Sequence, residues 1–253
     1  MTEKNKVTLL WSGGWDGTFR LLQLATNDII IQPIYVIDEK RGSTEAEIRA
    51  MNKILEMVKR RFLAEILEIK FIEKNWILDN CADENISKSF KYIREKFNVG
   101  IQYEWFALLA KHMDTKMESA VVHQYNGKIE DAIKAEGVLM PIENDFLPGR
   151  MQVLPKGDVT TVSTVFENLI LPVITMSKKD EEKIARENGW LDIMKLSWFC
   201  HTPINGEVCG LCGPCDDAMN TGMEWRVPEK ARKRYKHRKI YISIRKIKKK
   251  LGI

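Results

Sequence analysis

The stretch Ser12-Gly13-Gly14-Trp15-Asp16-Gly17-Thr18 combines three glycines with a carboxylate and two hydroxyl side chains. An apolar run at residues 7–11 precedes it, and a helical pattern follows from Thr18. Such a loop can point its backbone N–H groups at an anion, and the following helix adds its positive N-terminal end. The Lys-Ser/Thr pair of the Walker loop is missing. These residues therefore suit phosphate binding, and the alternative is a tight turn in which the glycines serve geometry alone.

Four of the five cysteines fall within sixteen residues, with the spacing Cys-x8-Cys-x2-Cys-x2-Cys from Cys200 through Cys209 and Cys212 to Cys215. Thiolates on short loops at this spacing predict tetrahedral Zn²⁺. Because four protein ligands leave no open position for water, the metal is expected to be structural. An iron–sulfur cluster, or His201 in place of one cysteine, is the alternative. Cys81 lies far away in the sequence and is predicted to be a small buried residue.

These residues must be positioned by alternating strands and helices, a pattern that predicts βαβ units and a mainly parallel sheet. Capping boxes at Thr44–Glu47 and Ser177–Asp180 open two of the helices. Lys178 stands at the second of these starts, where it either reaches a phosphate or is solvated. No pattern is readable over residues 126–164. Strands are predicted at 7–11, 33–37, 64–72, 118–123 and 169–176, and helices at 18–25, 44–62, 85–97, 101–113 and 177–189.

Charge is distributed unevenly along the 253 residues. The net charge is +5, but residues 228–253 hold twelve Lys/Arg against one acid, or +11, so the rest sums to 5 − 11 = −6. This basic tail either packs on the body through isoleucines that alternate like one face of a strand, or binds nucleic acid or a protein partner. No apolar run approaches a membrane span and no signal-peptide core is seen, so a cytoplasmic protein without membrane contact is expected.

The loop resembles the SGGxDS pyrophosphate-binding loop of the N-type ATP pyrophosphatases, which split ATP between its α- and β-phosphates. The resemblance implies ATP binding, with Asp16 either holding Mg²⁺ or bracing the loop, and a catalytic role for Asp16 and Lys178. Gly17 departs from the motif, because the family usually has Ser there. The implied ATP-binding residues are Ser12, Gly13, Gly14, Asp16, Gly17 and Thr18.

Together with the cysteine spacing, the loop resembles the 7-cyano-7-deazaguanine synthase family. Residues 171–178 look like that family's PLIxLSK segment, and residues 196–200 look like its entry to the zinc site. The resemblance implies a Rossmann-like, adenine nucleotide alpha hydrolase-like α/β fold with a C-terminal structural zinc appendage, and a homodimer. It divides the chain into an ATP-pyrophosphatase domain (1–195), a four-cysteine segment (196–227) and the basic tail (228–253).

The substrate half of the family pattern is altered. Family segments expected after the second strand and near residues 101–106 are changed, and a Pro-Gly-Arg sequence occurs at 148–150. In these segments the residues assigned to the 7-deazapurine substrate are Arg41, Gln102, Trp105 and Arg150.

The implied reaction is ATP-dependent adenylation of 7-carboxy-7-deazaguanine, then attack by ammonia and a second adenylation that yields the nitrile. One alternative keeps adenylation but transfers the deazaguanine to an amine of a protein partner, as in relatives from bacterial antiviral gene clusters. Another is tRNA modification or binding, since related loops occur in tRNA-modifying enzymes. A catalytically inactive binding protein is a further alternative that Gly17 allows.

Overall fold

The computed structural model describes residues 4–124, 127–241 and 243. Its central element is a six-stranded parallel sheet in which β1 lies between β2 and β5. The remaining strands extend the sheet outward, β3 and β4 from β2 and β8 from β5. An antiparallel pair, β6 and β7, stands apart. The strands are β1 (Lys6–Leu10), β2 (Ile30–Ile37), β3 (Glu65–Ile66), β4 (Lys70–Glu73), β5 (Met117–Ser119), β6 (Gly137–Pro141), β7 (Met151–Pro155) and β8 (Leu169–Ile170).

Helices flank this sheet and connect its strands. Eleven α-helices are seen in the described part of the chain, with a 3-10 turn at Glu224–Arg226. They are α1 (Trp15–Ala25), α2 (Thr44–Arg61), α3 (Lys74–Asn80), α4 (Glu84–Phe97), α5 (Gln102–His112), α6 (Lys128–Glu136), α7 (Thr161–Phe166), α8 (Lys178–Glu187), α9 (Leu191–Met194), α10 (Gly213–Asn220) and α11 (Glu229–Lys236). None of these helices is both long and apolar enough to cross a membrane.

Strand β1 is buried on both sides of the sheet. Leu9 belongs to one hydrophobic cluster, with Phe19 of α1, and Leu10 belongs to the other, with Leu108 of α5. Successive side chains of a strand point to opposite faces, so a continuous apolar run is what a central strand requires. The predicted parallel α/β architecture is confirmed.

The strand order of the sheet reverses at β1, although all of its strands are parallel. The chain runs from β1 to β2 on one side and returns to place β5 on the other side. The carboxyl ends of β1 and β5 therefore border a crevice, the usual position for ligands in open α/β sheets.

Several element predictions need correction. The predicted third strand is two short strands, β3 and β4, and α3 follows them unpredicted. Helix α2 begins at Thr44, but its N-cap is Ser43, whose hydroxyl donates to the Glu47 carboxylate, so Thr44 does not form the predicted capping box. The box at Ser177–Asp180 is confirmed. The region 126–164, in which the sequence showed no readable pattern, contains α6, the β6–β7 pair and most of α7 in its described part.

The described part of the basic tail is helical. Helix α11 is followed by helical residues 238–241, so the predicted strand-like alternation is wrong for Ile240, whose side chain is exposed. Ile242 and Ile244 lie outside the described residues. The helix packs on the cysteine segment through buried Ala231. The helix is held by contacts of Arg234 with the cysteine segment, and an alternating apolar pattern does not reveal such contacts.

Candidate functional site

The loop between β1 and α1 has a backbone that only glycine fits. Gly13 has a φ of +70°, and a Cβ there would lie 2.8 Å from the Cγ of Met51. The loop begins at Trp11, whose backbone N–H donates to the carbonyl of Ile34 over 2.8 Å. Gly13 is therefore required both for its conformation and for the close approach of α2.

Helix α1 presents free backbone donors at its start. The N-cap is Gly14, which has no side chain to satisfy them, and the first intrahelical bond runs from the Thr18 N–H to the Gly14 carbonyl over 2.9 Å. The amides of residues 15–17 have no intrahelical acceptor. Because these three residues line a cavity, their donors and the helix dipole create an anion-binding position there.

Gly17, the departure from the resembling motif, is explained by Trp11. A Cβ at Gly17 would lie 2.9 Å from Cδ1 of the Trp11 indole. The indole Nε1 donates to the Thr18 hydroxyl over 3.2 Å. Thr18 is fully buried and is not among the residues that line the cavity. Trp11 therefore occupies the space that a side chain at position 17 would need. Thr18 stabilises the loop through its hydrogen bond with the Trp11 indole and does not face the cavity.

The predicted catalytic pair, Asp16 and Lys178, is brought together by the fold. The Lys178 ammonium lies 3.4 Å from Oδ1 of Asp16 and 3.7 Å from Oδ2 of Asp217 on α10. Burial lowers the pKa of Lys178, but these two carboxylates outweigh it and raise the pKa above its usual value. Lys178 is thus a charged group at the start of α8 whose ammonium reaches the loop between β1 and α1.

Glu181 is a buried acid beside this pair. Its side chain is fully buried, and neither carboxyl oxygen has a hydrogen-bond partner among the described atoms. Burial, and then the neighbouring Asp16 carboxylate, raise the pKa of Glu181 well above its usual range. The sequence indicated only the helix that carries Glu181, because nothing in its local pattern marks the residue as facing Asp16.

Arg226 closes the cluster from the C-terminal segment. Its guanidinium lies 4.7 Å from the Trp15 ring centroid and 4.8 Å from that of Phe199, and it donates to the Ser197 hydroxyl over 2.8 Å. Burial lowers the pKa of Arg226 to about 10, while Asp16 and Glu181 oppose the shift. Lys178 and Arg226 are therefore two buried cations near the Asp16 carboxylate, and its attraction offsets part of the cost of burying them.

The crevice at the carboxyl ends of β1, β2 and β5 opens into a cavity of about 560 Å³. This volume lies within the range of small-molecule sites, about 300–1,000 Å³. Ser12, Gly14, Asp16 and Gly17 are among the residues that line it. Three of the four predicted substrate residues also line this cavity, namely Arg41, Gln102 and Trp105.

Arg41 is held at the cavity wall by Glu47. The Arg41 Nε lies 3.2 Å from Oε1 of this buried carboxylate, which also accepts hydrogen bonds from the hydroxyls of Tyr35 and Ser43. Asp38, another wall residue, pairs with the Lys74 ammonium. Burial raises the pKa of Asp38, but its bond to Lys74 and a backbone N–H bond bring it below the usual value. Tyr35, Asp38 and Glu47 were not predicted from the sequence.

The fourth predicted substrate residue, Arg150, lies outside this cavity. Its side chain is buried, with Nε 2.9 Å from Oε1 of Glu118 and Nη1 donating to Asp145 over 2.7 Å. Arg20 of α1 binds the same Glu118 with two hydrogen bonds, at 2.7 and 2.8 Å. Arg150 therefore joins the segment before β7 to the central sheet, and the structure gives it no contact with the cavity.

The four predicted metal ligands converge. The Sγ atoms of Cys200, Cys209, Cys212 and Cys215 all lie within 4.8 Å of one another. Measured pairs are 3.4, 3.8 and 3.9 Å apart, and a tetrahedron with Zn–S bonds of ~2.3 Å has edges of ~3.8 Å. Backbone N–H groups of Cys209, Leu211 and Cys212 donate to sulfur at 3.2–3.3 Å, as thiolate ligands require. The donor set fits Zn²⁺.

The cysteine segment also forms part of the cavity. His201 and Thr202 line its wall, and the backbone N–H of Trp198 donates to the Gly13 carbonyl over 2.8 Å. Cys200, Cys209 and Cys215 share the hydrophobic cluster of Leu9 and Phe19. The segment is therefore continuous with the core of the α/β body.

No protein-family model matches the chain, and no curated protein matches it at a significant level.

Proposed function

We propose that the protein is an AMP-forming ligase that uses ATP to adenylate the carboxylate of 7-carboxy-7-deazaguanine, as in the 7-cyano-7-deazaguanine synthase family. The observation that carries the proposal is the cavity itself. Its wall is lined by Ser12, Gly14 and residues 15–17 at the start of α1, and also by Arg41, Gln102 and Trp105. Lys178 does not line the cavity but lies 3.4 Å from Oδ1 of Asp16, which does. The Rossmann-like, adenine nucleotide alpha hydrolase-like fold belongs to the same proposal, and the strand order supports it.

The pyrophosphate portion of ATP is assigned to the loop between β1 and α1. The amides of residues 15–17 and the Ser12 hydroxyl donate hydrogen bonds to phosphate oxygens, and Lys178 moves from Asp16 toward their charge. The backbone amides are fixed before the reaction and therefore stabilise the developing charge without reorganising. Asp16 would hold Mg²⁺, which neutralises phosphate charge and orients the leaving group when bound.

The carboxylic acid substrate is assigned to the part of the cavity lined by Arg41, Gln102 and Trp105. Trp105 offers an aromatic surface, Gln102 offers an amide donor and acceptor to a heterocycle edge, and Arg41 offers positive charge to the carboxylate. A carboxylate oxygen attacks the α-phosphorus, the bond to the bridging oxygen breaks, and pyrophosphate leaves. An amine then attacks the acyl carbon, loses a proton, and displaces AMP. The protein supplies position and charge, and no nucleophilic side chain is needed.

The test is a product analysis. Protein, Mg²⁺, ATP labelled at the α-phosphate, 7-carboxy-7-deazaguanine and ammonium are combined, and products are identified by chromatography and mass spectrometry. AMP and pyrophosphate that form only when the acid is present support the proposal. ADP and phosphate contradict it. Reactions without ammonium separate the adenylation step from the acceptor step, and an amide or nitrile product identifies ammonia as the acceptor.

A further inference from the structure

Helix α11 is fastened to the cysteine segment by one face. Arg234 donates to the carbonyls of Cys209 and Val208 over 2.8 and 2.7 Å. The Tyr235 hydroxyl donates to Asp216 over 2.7 Å, and Arg238 pairs with the same carboxylate. Together with buried Ala231, these contacts fall at positions 231, 234, 235 and 238, the spacing of one helical face. The rotation of the helix about its axis is therefore fixed.

The opposite face of the helix is a row of cations. Lys230, Lys233 and Lys236 of α11 are exposed at every third position, about 4.5 Å apart along the axis, and Arg232 is exposed beside them. Lys239 is exposed in the helical residues that follow the turn at His237. Among the described residues only Lys230 and Lys233 have carboxylate partners, Glu207 at 3.8 Å and Glu229 at 2.9 Å. Such exposed pairs contribute little and are easily exchanged. The row therefore presents accessible positive charge.

The surroundings of the row indicate the class of partner. A membrane-surface helix needs a free apolar face, but here the inward face is occupied by the cysteine segment. Protein interfaces are centred on clusters of apolar or aromatic anchors, whereas the exposed large hydrophobic side chains between 229 and 241 are Ile240 and Tyr241, both beyond the lysines of α11. Tyr241, at the end of the row, is 42% exposed and offers a ring on which a base can stack.

We infer that the outward face of α11 binds the phosphodiester backbone of a nucleic acid. A regular row of lysines suits regularly spaced phosphates, and the displaced counterions make such binding strongly dependent on salt. The anchoring segment also supplies His201 and Thr202 to the cavity wall, so a bound strand is held by the same segment that borders the cavity.

The experiment measures binding of the full chain to a 20-nucleotide single-stranded RNA and a 20-base-pair DNA duplex by fluorescence anisotropy at several salt concentrations. The test variant changes Lys230, Lys233, Lys236 and Lys239 to Gln. Each lost phosphate contact should reduce the slope of log affinity against log salt by ~0.9 on the duplex or ~0.7 on the single strand. The control variant changes Lys53, Lys59, Lys88 and Lys91 to Gln, which removes equal charge from exposed positions on α2 and α4.

The inference is supported if the test variant loses affinity and slope while the control variant keeps both. Equal losses in the two variants would show a net-charge effect and would overturn it, as would no loss in either. Tighter binding of wild-type protein to phosphatidylserine vesicles than to both nucleic acids would also overturn it. Because all four lysines are exposed, both variants should keep the wild-type unfolding temperature. AMP formation from small molecules should persist in the test variant, so the two proposals can fail separately.

Discussion

The backbone N–H of Trp198 donates a hydrogen bond to the carbonyl of Gly13 over 2.8 Å. This bond joins the segment that begins the cysteine cluster to the loop with the free amide donors. The Trp198 indole also donates to the Cys200 carbonyl over 2.7 Å. Two hydrogen bonds of Trp198 therefore connect a predicted metal ligand to the loop. We therefore expect the order of the loop to depend on the metal.

Removal of the metal should weaken ATP binding as well as stability. Elemental analysis should find one zinc per chain, and Cys212→Ser should lose it, lower the unfolding temperature and reduce ATP affinity by more than about tenfold, or 1.4 kcal/mol. Cys81→Ala is the matched control, because Cys81 lies in the other hydrophobic cluster. It should keep the zinc. Full ATP affinity in metal-free protein would show that the loop does not depend on the cluster.

Asp16→Asn should lose turnover without losing the fold. Its carboxylate attracts the Lys178 ammonium and repels the buried Glu181, so loss of its charge has opposing effects, and the unfolding temperature should stay close to that of the wild type. The rate of AMP formation should fall by a factor on the order of 10² to 10³, the range for loss of one preorganised group. The exposed Asp79→Asn carries the same change on α3 and should be fully active. Equal activity of both variants would show that the Asp16 carboxylate does not take part in the reaction.

Gly17→Ser should be unfavourable because of Trp11. A Cβ would lie 2.9 Å from the indole Cδ1, and overpacking of this kind costs about 1–3 kcal/mol. In a Trp11→Val background the indole is absent, and the cost of the added serine should shrink. A double-mutant cycle of unfolding free energies measures this coupling. Additive effects would mean that position 17 and Trp11 do not compete for space.

Glu181 should make stability fall as pH rises. Its pKa is raised in the folded protein, so the folded state holds a proton that the unfolded state releases above a pKa of ~4.3. Stability is therefore fully present below that unfolded value and is lost as pH increases toward the folded value, by up to ~1.4 kcal/mol per pH unit. Glu181→Gln should flatten the profile of unfolding temperature between pH 5 and 9.

The matched control for this profile is Glu187→Gln, on the same helix but exposed. It should retain the pH dependence of the wild type. If the Gln variants at positions 181 and 187 have the same profile, Glu181 does not carry the buried proton.

Truncation after Pro228 should lower the unfolding temperature. The deletion exposes the contact of Ala231 with the cysteine segment and removes two bonds from the Arg234 guanidinium, each worth about 1.5–3 kcal/mol for a charged group. Truncation after Tyr241 keeps the contacts of Arg234, Tyr235 and Arg238 with the cysteine segment and should leave the unfolding temperature near that of the wild type. An unchanged temperature in the shorter protein would show that α11 does not support the body.

The sequence by itself determined the parallel α/β class, the glycine-rich loop after the first strand and the cluster of four cysteines that could hold a metal ion. Each depends on short-range spacing: an apolar run before glycines, strands alternating with helices, and cysteines with two or eight residues between them. Such patterns constrain local backbone and ligand geometry directly, and therefore survive without knowledge of the rest of the chain.

Only the tertiary structure decided which distant residues meet. Glu181 and Arg226 join Asp16 from separate elements, Trp11 explains Gly17 through its ring, and Arg150 is drawn away from the cavity into an ion pair with Glu118. The basic tail could not be assigned from alternation, because its helix is selected by contacts with the cysteine segment. These relationships depend on the packing of elements far apart in sequence, and a local pattern carries no information about the partner it will contact.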